Sequence, residues 1–225
     1  MNAQNYRLLP AWDPVLRFLH WWNVFFMSVQ VATGAAFMVC GRGLGEALET
    51  KLVVIHGMAG LLFGGGLFGR ILWLFIGPED AQWRGMLPIS PAQRRELAQT
   101  VSFYLKGFKG VISPSPSHNA FAGPVYLAYM IIASAQIASG SALLGLPDKL
   151  RAKALSGEIH ETCFVLILAY AGAHLIAVFI HELTERHGLV AAMIHGKKTF
   201  TQEQADGLIE KHPHLNEGGR DERED

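Results

Sequence analysis

Four stretches of this 225-residue chain contain no Asp, Glu, Lys or Arg: Phe18 to Gly41, Leu52 to Gly69, Gly110 to Pro147 and Thr162 to Ile180. Each is at or near the ~20 residues that cross a bilayer as a helix. Backbone inside hydrocarbon must satisfy its own polar groups, so runs of this kind fold there as helices. The spans expected are 17–40, 52–76, 121–145 and 158–182. A buried helix of a soluble protein would account for any one run. Four of them, in a chain that is 50% hydrophobic and 17% charged, leave too little polar sequence to cover so much apolar surface. The first run exceeds the ~7–15 residues of a signal-peptide core, so it reads as a span and not as a cleavable leader. The expected fold is all-α, an integral membrane four-helix bundle.

Orientation follows from the basic residues beside the spans, which collect on the cytoplasmic side. Arg7 and Arg17 precede the first span, Arg70, Arg84, Arg94, Arg95, Lys106 and Lys109 lie between the second and third, and Arg186, Lys197 and Lys198 follow the fourth, eleven in all. The opposite loops carry five: Arg42, Lys51, Lys149, Arg151 and Lys153. Both termini are therefore expected in the cytoplasm of a bacterial cell, with the protein in the inner membrane.

Four histidines then acquire depths. His20 opens an outward-going helix near the cytoplasmic face, and His56 opens an inward-going one near the outer face. His160 opens the fourth span near the outer face, and His174 follows fourteen residues later, roughly 21 Å along the helix and about 40° short of four full turns. The depth-matched pairs are His56 with His160, and His20 with His174. Each joins two different helices at one level, as axial ligation on both faces of a porphyrin requires, and a neutral imidazole nitrogen is a good iron ligand. Taken alone, His20 or His56 is equally consistent with a polar anchor near the headgroups. His174, in the middle of AYAGAHLIAVF, has no charged neighbour in sequence, and intramembrane ionisable residues usually face the bundle interior and serve a function. Four histidines that pair by depth across three helices point to two bis-histidine haems.

Other residues fit such a core, each with an ordinary explanation beside it. Gly57, Gly60, Gly64, Gly65 and Gly66 bare the backbone where a flat macrocycle could approach, or simply let helices pack closely. Arg17, three residues before His20, and Arg70, fourteen after His56, suit haem propionates, or follow the positive-inside bias.

The segments RFLHWWN, HGMAGLLFGGGLFGRILW, HNAFAGP and HETCFVLILAYAGAH, within residues 12 to 199, resemble the di-haem cytochrome b membrane subunits. That family includes prokaryotic cytochrome b561, the cytochrome b subunits of nickel-iron hydrogenases and the gamma subunit of formate dehydrogenase. The resemblance implies a four-helix bundle with two b-type haems that moves electrons between a periplasmic redox partner and the quinone pool. It makes His56 and His160 the ligands of the outer haem, and His20 and His174 those of the inner one. His118 and Asn119 resemble a region that lies near quinone in some members, although His118 serves equally as a cap for the third span. The implied partners are membrane lipid, quinone and a dehydrogenase, hydrogenase or cytochrome c. Nucleic acid is not among them. On this reading the chain is an electron-transfer subunit more than a self-contained enzyme, and no catalytic residue is assigned. A stand-alone quinone or superoxide-quinone oxidoreductase, and a haem-free interaction or transport protein, are the alternatives.

Outside the spans, PISPAQRRELAQTVSFYLKGFKG reads as a cytoplasmic amphipathic helix between spans 2 and 3. It starts after Ser90 with Gln93 as capping partner, and its apolar Leu97, Val101, Tyr104, Leu105 and Phe108 are suited to the membrane surface. No Cys-x-x-Cys-His occurs and no glycine-rich nucleotide fingerprint follows a strand, which disfavours covalent c-type haem and a nucleotide-binding domain. Cys40 and Cys163 are expected as unpaired thiols. Residues 1–199 are expected to form the membrane domain and residues 200–225 a polar, mobile tail.

Overall fold

The computed structural model describes residues 5–40, 43, 45–107, 121–147, 150, 154–185, 188–213 and 215. A short strand β1 (Tyr6–Pro10) leads into helix α1 (Pro14–Cys40), followed by α2 (Glu46–Ile76). A 3-10 turn (Glu79–Ala81) and helix α3 (Trp83–Met86) precede α4 (Pro91–Leu105). Then come α5 (Ala122–Leu144), α6 (Leu155–Glu185), α7 (Leu189–His195), strand β2 (Lys197–Thr201) and α8 (Gln202–Lys211). The four helices long and apolar enough to cross a membrane are α1, α2, α5 and α6, where the uncharged runs put them.

Their exposed faces are apolar: Phe25, Leu61, Phe68, Ile131 and Phe179 all point outward. Surfaces of that kind are stable against lipid tails and not against water.

The chain divides into two compact units. The first comprises Phe18–Leu72 and Ala128–Ala173 and holds most of the apolar helices. Within it all four helices touch. Trp22 Nε1 on α1 donates to the Leu62 carbonyl on α2 at 2.8 Å, and the Tyr129 ring on α5 stacks on Tyr170 of α6 with centroids 4.2 Å apart. A Cβ added at Gly64 of α2 would stand 3.5 Å from Ile137 of α5, and one at Gly34 of α1 would stand 3.5 Å from Phe164 of α6.

The second unit comprises Met1–Arg17, Trp73–Leu127 and His174–Asp225. Here α4 starts as its sequence predicts. Ser90 Oγ accepts from the Gln93 amide at 3.2 Å while the Gln93 side chain accepts from Ser90 N at 2.9 Å, with Pro91 opening the helix. The face it buries differs in part from the expected stripe. Thr100 and Phe103 are the buried residues, Leu105 is 83% exposed, and Phe108 lies outside the described residues. Tyr104 reaches α6, where its hydroxyl is hydrogen-bonded to Nε2 of the buried His181 at 2.7 Å.

Two elements of this unit correct the sequence reading. β1 and β2 pair antiparallel, Leu8 opposite Thr199, so the residues before the first span and after the last meet on one side. The expected mobile tail is also structured through its first half. Thr201 caps α8, accepting from the Gln204 amide at 3.4 Å, and Ala205 and Leu208 of that helix form a small core with Leu9, Phe200 and Leu215. The segment looks unstructured because its apolar residues are few, and their partners lie at the opposite end of the chain. Residues 216–225 are outside the described residues. Cys40 is exposed and Cys163 buried, both as free thiols.

Phe200 is the largest fully buried side chain of this terminal layer. Phe200→Ala should cost the layer about 3–5 kcal/mol. Amide hydrogen exchange should then show β1, β2 and α8 losing protection while α1, α2, α5 and α6 keep theirs.

Candidate functional site

Within the first unit α2 and α6 bring His56 and His160 together. Their ring centroids stand 6.2 Å apart with planes inclined at 74°. Each ring is fixed from behind by a neighbouring helix. On α1, Thr33 Oγ1 lies 2.7 Å from His56 Nδ1 and donates its own proton to the Val29 carbonyl at 2.8 Å. A hydroxyl has one proton, so with that proton spent on its own helix it meets the imidazole as an acceptor. In that arrangement His56 Nδ1 carries the proton, and Nε2 keeps its lone pair. His160 is held in the same sense from α5. Its Nδ1 lies 3.1 Å from the Gln136 carbonyl and 3.2 Å from Ser139 Oγ, whose proton goes to the Ala135 carbonyl at 2.8 Å.

Donation of the far ring N–H to a neighbouring acceptor is what orients a histidine to bind metal through its other nitrogen. With metal–nitrogen bonds of about 2 Å and a ring radius of about 1 Å, two axial imidazoles on one metal have centres about 6 Å apart. The observed 6.2 Å fits. Among the described residues no third His, Cys, Asp or Glu joins them. A bare metal ion asks for three or four protein ligands, whereas a porphyrin supplies four in-plane nitrogens and asks only for the axial pair. The donor set suits the macrocycle. Gln136 supports this: its Nε2 lies 3.2 Å from His160 Nε2, and its Oε1 is buried with no hydrogen-bond partner among the described residues. Iron bound at that nitrogen would displace an amide whose oxygen is already without a partner among the described residues.

The remaining sequence-predicted residues are distributed as follows. His20, half-buried with its ring edge-on to Trp21 at 5.3 Å, belongs to the unit of His56 and His160, and the exposed His174 belongs to the other unit. Arg17 donates to the Ile194 carbonyl near the end of α7. Arg70 is 2% exposed on α2. His118 and Asn119 lie outside the described residues.

All the α2 glycines but Gly65 face protein. A Cβ at Gly57 would stand 3.6 Å from Leu144, at Gly60 3.1 Å from Gln30, and at Gly66 2.4 Å from Trp22, while at Gly65 nothing described lies within 4 Å. At the positions that have neighbours these residues serve close helix packing. The residues that sequence reasoning missed are Thr33, Ser139, Gln136 and Gly140. Gln136 carries the available signal, as a long polar side chain inside an uncharged span.

Four helices long and apolar enough to cross a membrane, two of which bring a pair of imidazoles together, suit the class of membrane cytochromes. The chain belongs to the prokaryotic cytochrome b561 family, whose model matches residues 11–196. It is also similar to the probable Ni/Fe-hydrogenase B-type cytochrome subunit of Rhodobacter capsulatus, 24% identical over 218 residues that cover 87% of this chain and 83% of that protein. Family membership implies b-type haem and makes this a multi-pass bacterial membrane protein of electron transfer.

Gly140 gives His160 its space: a Cβ there would stand 2.8 Å from the ring Cε1, while one at Gly34 would meet His56 only at 3.9 Å. Gly140→Ala should lower stability by about 1–3 kcal/mol through overpacking. Gly34→Ala should leave stability level or raise it by up to about 1 kcal/mol. Thermal denaturation in detergent distinguishes the two.

Proposed function

We propose that this chain carries electrons across the bacterial inner membrane between a periplasmic redox partner and the quinone pool, through two b haems each held by two histidines. The observation that carries the reading is the His56–His160 pair, at the separation of axial ligands and with both Nδ1 atoms occupied. These two hold the outer haem. His20 and His174 hold the inner one, a reading supported by their matched depths and by the fourteen residues between His160 and His174, which set the two levels roughly 21 Å apart along α6.

When bound, haem iron changes by one electron between ferric and ferrous forms, and its potential is tuned by axial ligands, hydrogen bonds and burial. The chain's own part is to hold and tune. Thr33 at His56, and Ser139 with the Gln136 carbonyl at His160, fix the imidazole tautomers, and the apolar helices keep water from the site. Arg17 and the buried Arg70 offer positive charge to propionates. His118 and Asn119 approach the quinone at the cytoplasmic end.

Pairing of β1 with β2 supports both chain ends lying on one side, and the excess of Lys and Arg beside them supports that side being the cytoplasm. The periplasmic partner is a dehydrogenase, hydrogenase or cytochrome c. Similarity to a protein named as a hydrogenase subunit supports a redox enzyme in that role.

In liposomes containing quinone, the haem-loaded chain should pass electrons from a membrane-impermeant reductant on the outer face to the quinone. His174→Ala should lose one haem, keep the other, and slow quinone reduction at least about tenfold, in line with loss of a step that the path requires. A His174 variant that still carries two haems contradicts the assignment.

A further inference from the structure

The two helices behind the imidazoles carry similar nine-residue sequences. Residues 28–36 of α1 read SVQVATGAA and residues 134–142 of α5 read SAQIASGSA, identical at five of nine positions, with Val31 facing Ile137 and Thr33 facing Ser139 in the alignment. The hydrogen bonds repeat as well. Ser28 donates to Val24 and Ser134 to Met130, both at 2.8 Å. Thr33 reaches the Val29 and Gln30 carbonyls at 2.8 and 3.1 Å, and Ser139 reaches the Ala135 and Gln136 carbonyls at 2.8 and 3.0 Å. Each hydroxyl then meets the Nδ1 of a histidine on the next spanning helix, 23 residues on in the first half and 21 in the second. The i−4 bonds are the ordinary ones of helical Ser and Thr; the specific likeness is a hydroxyl, three residues after a glutamine in both helices, that meets a histidine Nδ1 on the next spanning helix.

We propose that the outer site is one device used twice. A helical hairpin, α1–α2 or α5–α6, supplies a hydroxyl on its first helix and an imidazole on its second, and the two hairpins meet so that both Nε2 atoms address one iron from opposite faces. Thr33 and Ser139 are the paired positioning residues of that site. By accepting Nδ1–H, Thr33 alone at His56 and Ser139 beside the Gln136 carbonyl at His160, they favour the tautomer whose Nε2 is free for a metal and make each imidazole a more basic ligand. The device is confined to the outer site. In the same register Tyr126 stands where the first half has His20, and Arg70 stands where the second half has His174, so the inner histidines come one from each half with no repeat between them. The halves also differ at the glutamine, whose carbonyl lies 3.1 Å from the ring Nδ1 at His160. Gln30 Nε2 donates to the His56 carbonyl, whereas Gln136 Nε2 approaches the ring nitrogen of His160. Of the two glutamines, Gln136 is thus the one that turns away when iron binds.

This inference rests on the reading of His56 and His160 as ligands of one haem, and the test separates the two. In the purified haem-loaded chain, Thr33→Val and Ser139→Ala each remove one acceptor with little change of volume. Each should raise the reduction midpoint of the same single haem, because a less basic imidazole favours ferric iron less. Each should also weaken retention of that haem about tenfold, the lower end of what loss of such a supporting hydrogen bond costs. The second haem should not move, either in midpoint or in its low-spin ferric electron paramagnetic resonance signal. Thr33→Ser installs the residue of the other half and should behave as the native chain. If His56→Ala loses one haem while Thr33→Val and Ser139→Ala leave both midpoints in place, or shift different haems, the duplicated device is overturned and the ligand reading stands. If His56→Ala keeps two haems, both are overturned.

Discussion

A hydroxyl that spends its only proton on its own helix is the interaction on which this site depends. Thr33 and Ser139 each do so, and each is thereby left as an acceptor facing an imidazole. In water such a bond contributes little, because solvent competes for both partners. Among apolar helices water does not compete, so Thr33 at His56, and Ser139 with the Gln136 carbonyl at His160, decide which ring nitrogen carries the proton. Remove that constraint and His56 and His160 are two polar side chains in an apolar unit. With it they are a matched pair of lone pairs with ring centres 6.2 Å apart.

The rest of the first unit serves that pair. Small residues at helix crossings bring the backbones close enough for a threonine on one helix to reach a histidine on another. Gly140 leaves room for the His160 ring, and Gly60 leaves room for Gln30, whose amide in turn donates to the His56 carbonyl. The outward faces need only be apolar, and Phe25, Leu61 and Phe179 make them so. The second unit ties segments far apart in sequence to one another. It does so with a two-stranded pairing of the chain's ends, a capped terminal helix and the Tyr104–His181 link between α4 and α6.

What the sequence reveals and what it conceals divide along the range of the interactions. The spans are legible because hydropathy is a local property. Readings of 17–40, 52–76, 121–145 and 158–182 compare with helices Pro14–Cys40, Glu46–Ile76, Ala122–Leu144 and Leu155–Glu185. The Ser90 cap is legible for the same reason, since its partner is three residues away. The pairing of His56 with His160 is legible through depth, which helix direction and rise determine. By contrast, β1 and α8 find their partners at opposite ends of the chain, and a polar segment such as QEQADGLIEK gives no hint of a core until Leu9 and Phe200 are beside it. Gly57, Gly60 and Gly66 show a further ambiguity, because a bare backbone looks alike whether a macrocycle or a neighbouring side chain fills the space. Thr33 and Ser139 were hidden by their ordinariness, as small hydroxyls are common in membrane helices and only the geometry gives these two their role.

The most direct test of the central claim is a dithionite-reduced minus oxidised absorption spectrum of the purified protein with haem counted per chain, repeated for His56→Ala and His160→Ala. The account requires b-type haem in the native chain at two per polypeptide, and one remaining in each variant with the same spectral component missing from both. Native protein without haem, or two variants that lose different components, would contradict it.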